Sequence, residues 1–178
     1  PGLAGYLPPT TTHDFNLPAM IKGEGVGNLC EKPKHSDFLH LPHGLKGYFD
    51  YNQAIKCAKD LKKPLFIDFT GHGCVNCRKM EENVWSDPEV FRLLNEEYVL
   101  ISLYIDDRKL LHENEQFMYK YDSGRVKSIE EVGEKWGTFQ TINFNAASQP
   151  FYVLLSPDLY ILNSAIQNTD SNTYRGWL

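Results

Sequence analysis

Two cysteines stand three apart in Gly71-His72-Gly73-Cys74-Val75-Asn76-Cys77. At the start of a helix such a pair can close a small disulfide with little backbone movement, and can open again when a thiolate attacks the exposed sulfur. The free N–H groups and the positive end of the helix dipole favour an anion at Cys74. They can lower a thiol pKa from about 8.5 toward 7 or below, which makes Cys74 the candidate nucleophile. Cys77 falls one turn deeper, on a core-facing stripe with Met80, Glu81 and Val84, and is the candidate resolving thiol. Asp68, six residues before Cys74, and Glu81, four after Cys77, are the candidate acids beneath the pair. Carboxylates buried there have raised pKa values and can exchange a proton with Cys77. The plainer alternatives are a strand acid satisfied by a backbone N–H at Asp68 and an exposed helix residue at Glu81. Gln149-Pro150, ahead of an apolar run, is the candidate place for a cis peptide that, with Gly73, offers backbone groups to an incoming chain.

The remaining cysteines read differently. Cys30 and Cys57 are small, partly buried thiols in this reading, Cys57 at the edge of an apolar helix face and Cys30 in a linker. A disulfide between them is open, with nothing in the spacing to support it. Cys30 with His40 and His43 would complete half a zinc site, but no second close cysteine pair exists, and loop residues are the better reading of His35, His40 and His43. No metal is expected, and no cofactor beyond the redox-active Cys74–Cys77 disulfide.

The elements that position these residues follow from pattern. Residues 1–46, with Pro8-Pro9-Thr10-Thr11-Thr12 and Gly23-Glu24-Gly25-Val26-Gly27, read as an extended linker and wrapping segment; residues 47–178 read as the domain. Asp50 with Gln53 forms a capping-box pattern ahead of Tyr51, Ala54, Ile55, Ala58 and Leu61, an amphipathic helix that stops before Pro64. Leu65-Phe66-Ile67-Asp68-Phe69 reads as a strand buried on both faces. After the cysteine helix, Ser86-Asp87-Pro88-Glu89 marks a fresh helix start carrying Val90, Phe91 and Leu94 inward. Tyr98 to Ile105 is a strand ending in Asp106-Asp107. The stretch 108–145 is polar, with a short helix around Ile129 to Trp136. Phe151 to Leu155, a turn at Ser156-Pro157-Asp158 and Leu159 to Leu162 read as a hairpin, and a two-turn helix starts near Asp170. Strand–helix–strand gives a parallel pair and the hairpin adds antiparallel strands, so a mixed sheet covered by helices is expected.

Bulk properties narrow the function. A length of 178 residues suits one domain with a tail, and a net charge of −5 supplies no basic surface for nucleic acid. No apolar run approaches the length of a bilayer span. The chain begins at Pro1 rather than Met and is read as a piece of a longer protein, with any signal or anchor upstream.

Asp68-Phe69-Thr70-Gly71-His72-Gly73-Cys74-Val75-Asn76-Cys77-Arg78-Lys79-Met80-Glu81 and Trp85-Ser86-Asp87-Pro88-Glu89-Val90 resemble, within the thioredoxin superfamily, the C-terminal periplasmic domain of the DsbD thiol:disulfide interchange proteins. The resemblance runs from about Asp50 to Leu162. It implies a thioredoxin fold, with 108–145 as an insertion before the cis-Pro hairpin and a trimmed last helix. It also implies a reductant that takes electrons from a transmembrane donor domain and passes them to a periplasmic acceptor domain of the same protein. On that reading the domain is periplasmic, is tethered to the inner membrane rather than inserted in it, and serves disulfide isomerases and cytochrome c maturation. Thioredoxin carries Trp where this chain has Gly73, which bares the surface before the nucleophile. An oxidase or isomerase would share the fold and differ in the energy of the disulfide, and a non-catalytic adaptor would use the groove alone.

Overall fold

The computed structural model describes residues 28–178, so the part of the expected linker from 1 to 27 lies outside the described residues. The chain runs α1 (Tyr51–Leu61), β1 (Leu65–Thr70), α2 (Val75–Asn83), α3 (Pro88–Glu96), β2 (Val99–Tyr104), β3 (Phe117–Lys120), β4 (Val126–Ile129), α4 (Val132–Phe144), β5 (Phe151–Leu155) and α5 (Ser171–Trp177). β1 lies in the middle of a sheet ordered β2-β1-β5, parallel to β2 and antiparallel to β5. This is the mixed, helix-flanked sheet of a thioredoxin fold.

Every residue of β1 and β2 is buried, and alternation assigns each to a layer. Leu65, Ile67 and Phe69 pack with Val99, Ile101 and Leu103 against α1 and α4, through Tyr51, Ala54, Val132, Trp136 and Phe139. Phe66 points the other way, into Met80, Val84, Trp85, Val90, Leu94, Tyr174 and Trp177 from α2, α3 and α5. The rings of Trp85, Tyr98, Tyr152, Tyr174 and Trp177 surround Phe66, most of them edge-on, an arrangement that suits the aromatic quadrupole. Asp68 shares the Phe66 face by the same alternation, and so lies under α2.

Local signals set most boundaries. Asp50 accepts the Gln53 N–H at 3.1 Å, but only that half of the expected capping box forms. The Gln53 amide instead receives the Lys34 N–H and donates to the Lys32 carbonyl, tying the N-terminal segment to α1. Asp87 caps α3 by accepting the N–H groups of Glu89 and Val90, and Asp170 caps α5 through Thr173. Leu61, expected on the buried face, is 41% exposed because Lys62 turns left-handed and closes α1 there.

Two expectations change. The polar stretch after β2 holds the antiparallel β3–β4 hairpin, and the helix expected around Ile129 to Trp136 begins later and runs longer, as α4. Gly133 sits where α4 meets the end of β2: its N–H donates to the Asp107 carbonyl, and a Cβ there would come within 2.7 Å of backbone atoms of Ile105 and Asp107. The return strand of the last hairpin is reduced to isolated bridges, Leu155 with Ile161 and Tyr152 with Ile166, which leaves Tyr160, Ile161 and Leu162 exposed on the sheet edge.

Cys30 and Cys57, read as thiols, form a disulfide with Cα atoms 5.5 Å apart. Cys57 is 1% exposed, so it belongs to the buried face of α1 rather than its edge. Tyr48 and Asn28 hold the same segment: the Tyr48 hydroxyl accepts the N–H groups of Cys30 and Glu31, and the Asn28 amide donates to the carbonyls of Asn95, Glu96 and Tyr98. With a sequence separation of 27, loop-closure entropy assigns the bond about 3.5 kcal/mol. The double variant Cys30→Ala/Cys57→Ala is therefore expected to lose about 3.5 kcal/mol in urea unfolding, with a raised m-value because the unlinked unfolded chain exposes more surface. A loss below about 1 kcal/mol would show that the hydrogen bonds alone hold the segment.

Candidate functional site

Cys74 is the N-cap of α2. Its Sγ accepts the Cys77 N–H at 3.1 Å, and the two sulfurs are bonded with Cα atoms 5.3 Å apart. Cys74 is half-buried and Cys77 is 1% exposed, so an attacking thiolate meets Cys74 first. Val75, next to it, is 66% exposed, an apolar side chain in the open beside the Cys74 sulfur.

The loop that presents Cys74 is held from β2. Asp106 accepts the His72 N–H at 2.8 Å and the Gly73 N–H at 2.9 Å with its two carboxylate oxygens. Gly71 lets this happen, because a Cβ there would lie 2.8 Å from Asp106 Oδ2. The His72 imidazole Nε2 lies 2.7 Å from Asp107 Oδ2, and its ring leans on Tyr104 at 4.6 Å. Asp106, Asp107, His72 and Tyr104 were missed as site residues, yet a signal exists. β1 and β2 are parallel with Thr70 beside Tyr104, so counting two residues further along both strands sets Asp106 beside His72.

Beneath α2 lies an acid cluster. Asp68 is 3% exposed and accepts the Ser102 hydroxyl at 2.8 Å, its parallel partner on β2. Burial pushes its carboxyl up to about 7, against the Ser102 hydrogen bond and the Arg78 charge and with the help of Glu81. Glu81 pairs with Arg78 at 2.8 Å, and burial raises its carboxyl while Arg78 and His43 pull it down. Arg78 also donates to Thr70 Oγ1 at 3.0 Å, and its Nε is buried with no partner among the described residues. The fold thus draws Asp68 and Glu81 into one electrostatic group with Arg78, on the helix face that carries Cys77. The plainer alternative for Asp68, a backbone N–H, is replaced by a side-chain donor.

Gln149-Pro150 is cis. Pro150 is buried and precedes Phe151, which pairs with Phe69, so it sits at the end of β1 from which the cysteine loop departs. The Gln149 amide turns to the Ala147 carbonyl. The residues weighed as a zinc set do not come together: Cys30 is bonded to Cys57 and His43 reaches the end of α2. Among the described residues no helix is long and apolar enough to cross a membrane.

Comparison with known proteins agrees on the fold. Residues 46–126 match a family model described as thioredoxin-like. No curated protein matches the chain. Among solved structures, the DsbH oxidoreductase is similar at 13% identity and TM-score 0.52, over 78% of this chain and 86% of that one. A thioredoxin from Thermus thermophilus gives 18% identity and TM-score 0.49, over 72% and 80%. The reduced C-terminal domain of Neisseria meningitidis DsbD gives 12% and 0.46, over 70% and 86%. Sheet order and layers, with the match over residues 46–126, give a thioredoxin-like fold.

Two outcomes test the geometry. Between pH values near the ordinary 3.8 and the folded value of about 7, the native state keeps a proton on Asp68 that the unfolded chain has released. Stability therefore falls as pH rises through that window, and the full penalty, on the order of 4 kcal/mol, is present above it. Asp68→Asn keeps an acceptor for Ser102 and is expected to be more stable than the parent at pH 8, with a flatter pH profile in urea unfolding; parallel profiles would contradict the buried charge. Removal of the Asp106 carboxylate by Asp106→Ala is expected to speed amide hydrogen exchange at His72 and Gly73 by about tenfold or more, while the β1 amides stay protected.

Proposed function

We propose that this domain is a thiol–disulfide oxidoreductase working through Cys74 and Cys77, and that it acts as a reductant. The observation that carries this is the graded burial of a bonded cysteine pair at a helix N-terminus, set over two carboxylates with raised proton affinity. In the reduced domain Cys74, favoured as thiolate by the N-terminus of α2, attacks a client disulfide and forms a mixed disulfide. Cys77 gives its proton to the Asp68–Glu81 group, and its thiolate attacks Cys74 Sγ. The Cys74–Cys77 bond forms, the client thiolate leaves with the electron pair, and two electrons have passed to the client. A carboxyl poised near neutrality can both take that proton and return it. Gly73, Gln149 and Pro150 frame the groove for the client backbone, with no cofactor beyond the disulfide.

The motif resemblance to DsbD supports a finer reading: electrons from a transmembrane donor domain, a periplasmic acceptor domain of the same longer protein, and service to cytochrome c biogenesis. The Cys30–Cys57 bond supports an oxidising compartment, since such bonds persist in periplasmic and secreted proteins and are rare where thiols are kept reduced.

The test is equilibration in graded dithiothreitol or glutathione buffers, followed by alkylation and peptide mass spectrometry. A Cys74–Cys77 potential of about −200 to −270 mV is expected of a reductant; one near −120 mV would assign an oxidase, and failure to form the bond would leave the adaptor reading. Cys77→Ser is expected to accumulate a mixed disulfide with a client polypeptide, and Cys74→Ser to accumulate none.

A further inference from the structure

The C-terminal end of α2 is closed in an unusual way. The Met80 carbonyl takes the N–H groups of both Val84 and Trp85, so the next three carbonyls are left without the helix's own donors. Three separate segments supply side chains instead: His43 Nε2 lies 2.7 Å from the Glu81 oxygen, the Ser86 hydroxyl donates to Glu82, and the Ser171 hydroxyl donates to Asn83 at 3.1 Å. A carbonyl only accepts, so Nε2 of His43 carries the proton. His43 is the one of the three that can carry a positive charge, and a cation there complements the negative end of the helix dipole.

The backbone under His43 is specialised for this contact. It stands in the 3-10 turn Pro42–Gly44 with φ 56°, a left-handed conformation uncommon for a residue with a side chain, and Gly44 follows at φ 76°. Leu45, 3% exposed, anchors the turn in the α2-side core, so the imbalance of conformation is held by packing. The turn lies just before the thioredoxin-like match begins at residue 46. Around the Glu81 carboxylate stand Arg78 and Glu82 from α2, His43 from this segment, Asp68 from β1, Tyr104 from β2 and Tyr152 from β5. Beside Arg78, His43, which is exposed, is the other member of this group that acts on Glu81 as a cation.

We propose that His43 is a positioning residue for the redox pair: it fixes the last turn of α2 and, through its own charge, sets how readily Glu81 takes the proton that Cys77 releases. This rests on the reading of Glu81 as a proton acceptor. The positive charge of His43 favours the ionised form of Glu81; without that charge Glu81 binds a proton more readily and the resolving attack of Cys77 on Cys74 is favoured.

The test is carbon-detected NMR titration of the Glu81 carboxyl in the oxidised chain, where no exchange occurs. His43→Gln keeps an N–H donor without the charge, and His43→Ala removes both. In each, the Glu81 midpoint is expected to rise by about half a pH unit or more. Identical Glu81 titrations in the parent and both His43 variants would overturn the inference, whatever the exchange activity. The second readout is the pH profile of client release from the Cys74 mixed disulfide, expected to move with the NMR midpoint in His43→Gln. Release that is unchanged in Glu81→Gln, with the NMR coupling intact, would remove the acid from the mechanism and the role of His43 with it.

Discussion

The register of β1 on β2 governs the rest of the molecule. Leu65 lies beside Val99 and Thr70 beside Tyr104, and each pairing between fixes a neighbour on both faces. A slip of one residue would turn Asp68 into the apolar layer of α1 and α4 and Phe66 out of its aromatic cage. In the observed register Asp68 meets Ser102, the donor that makes a buried carboxyl tolerable, and Asp106 reaches the loop before Cys74. Parallel pairing also requires a crossover, and α2 and α3 provide it, so the helix that caps itself with Cys74 is the one that returns the chain to β2.

The face of β1 under α2 is divided between two environments. Around Phe66 it is aromatic and dry, with the Trp85 indole N–H satisfied by the Tyr174 hydroxyl. Two residues on, Asp68 opens a polar group with Ser102, Glu81 and Arg78. The aromatic half lowers the local dielectric and so raises the proton affinity of the acid half, while Arg78 limits that rise at Glu81. Stability is spent at Asp68 to bury a carboxyl under the helix that carries the cysteine pair, a balance met by the packing around Phe66.

Residues 28–46 act as part of this domain rather than beside it. Asn28 binds the segment to the end of α3, Gln53 binds it to α1, and Tyr48 takes the Cys30 N–H, while Cys30 is held by a covalent bond and Leu39 and Leu45 by burial. Tyr48, which follows the segment, bridges to Ile101 and covers part of the free edge of β2 that otherwise exposes unpaired backbone groups. The opposite edge, beyond β5, is left with isolated bridges.

Short-range signals carried much of this protein's design. The Asp50, Asp87 and Asp170 caps, the apolar run of β1 and the spacing of Cys74 and Cys77 each act within a turn or a strand, so the sequence alone located α1, β1, α3, α5 and the cysteine helix. α4 blurred because it is buried on nearly all sides, with Gly133, Lys135, Thr138 and Gln140 inside along with Trp136 and Phe139, so no clean stripe marks it. The β3–β4 hairpin blurred because its strands are four residues long and half exposed. Which donors Asp106 would serve, which thiol Cys57 would find, and that His43 would reach the end of α2 were decided only by tertiary structure. Those contacts join residues 27 to 38 apart, and their partners are chosen by strand register and layer packing, which no local pattern of residue types encodes.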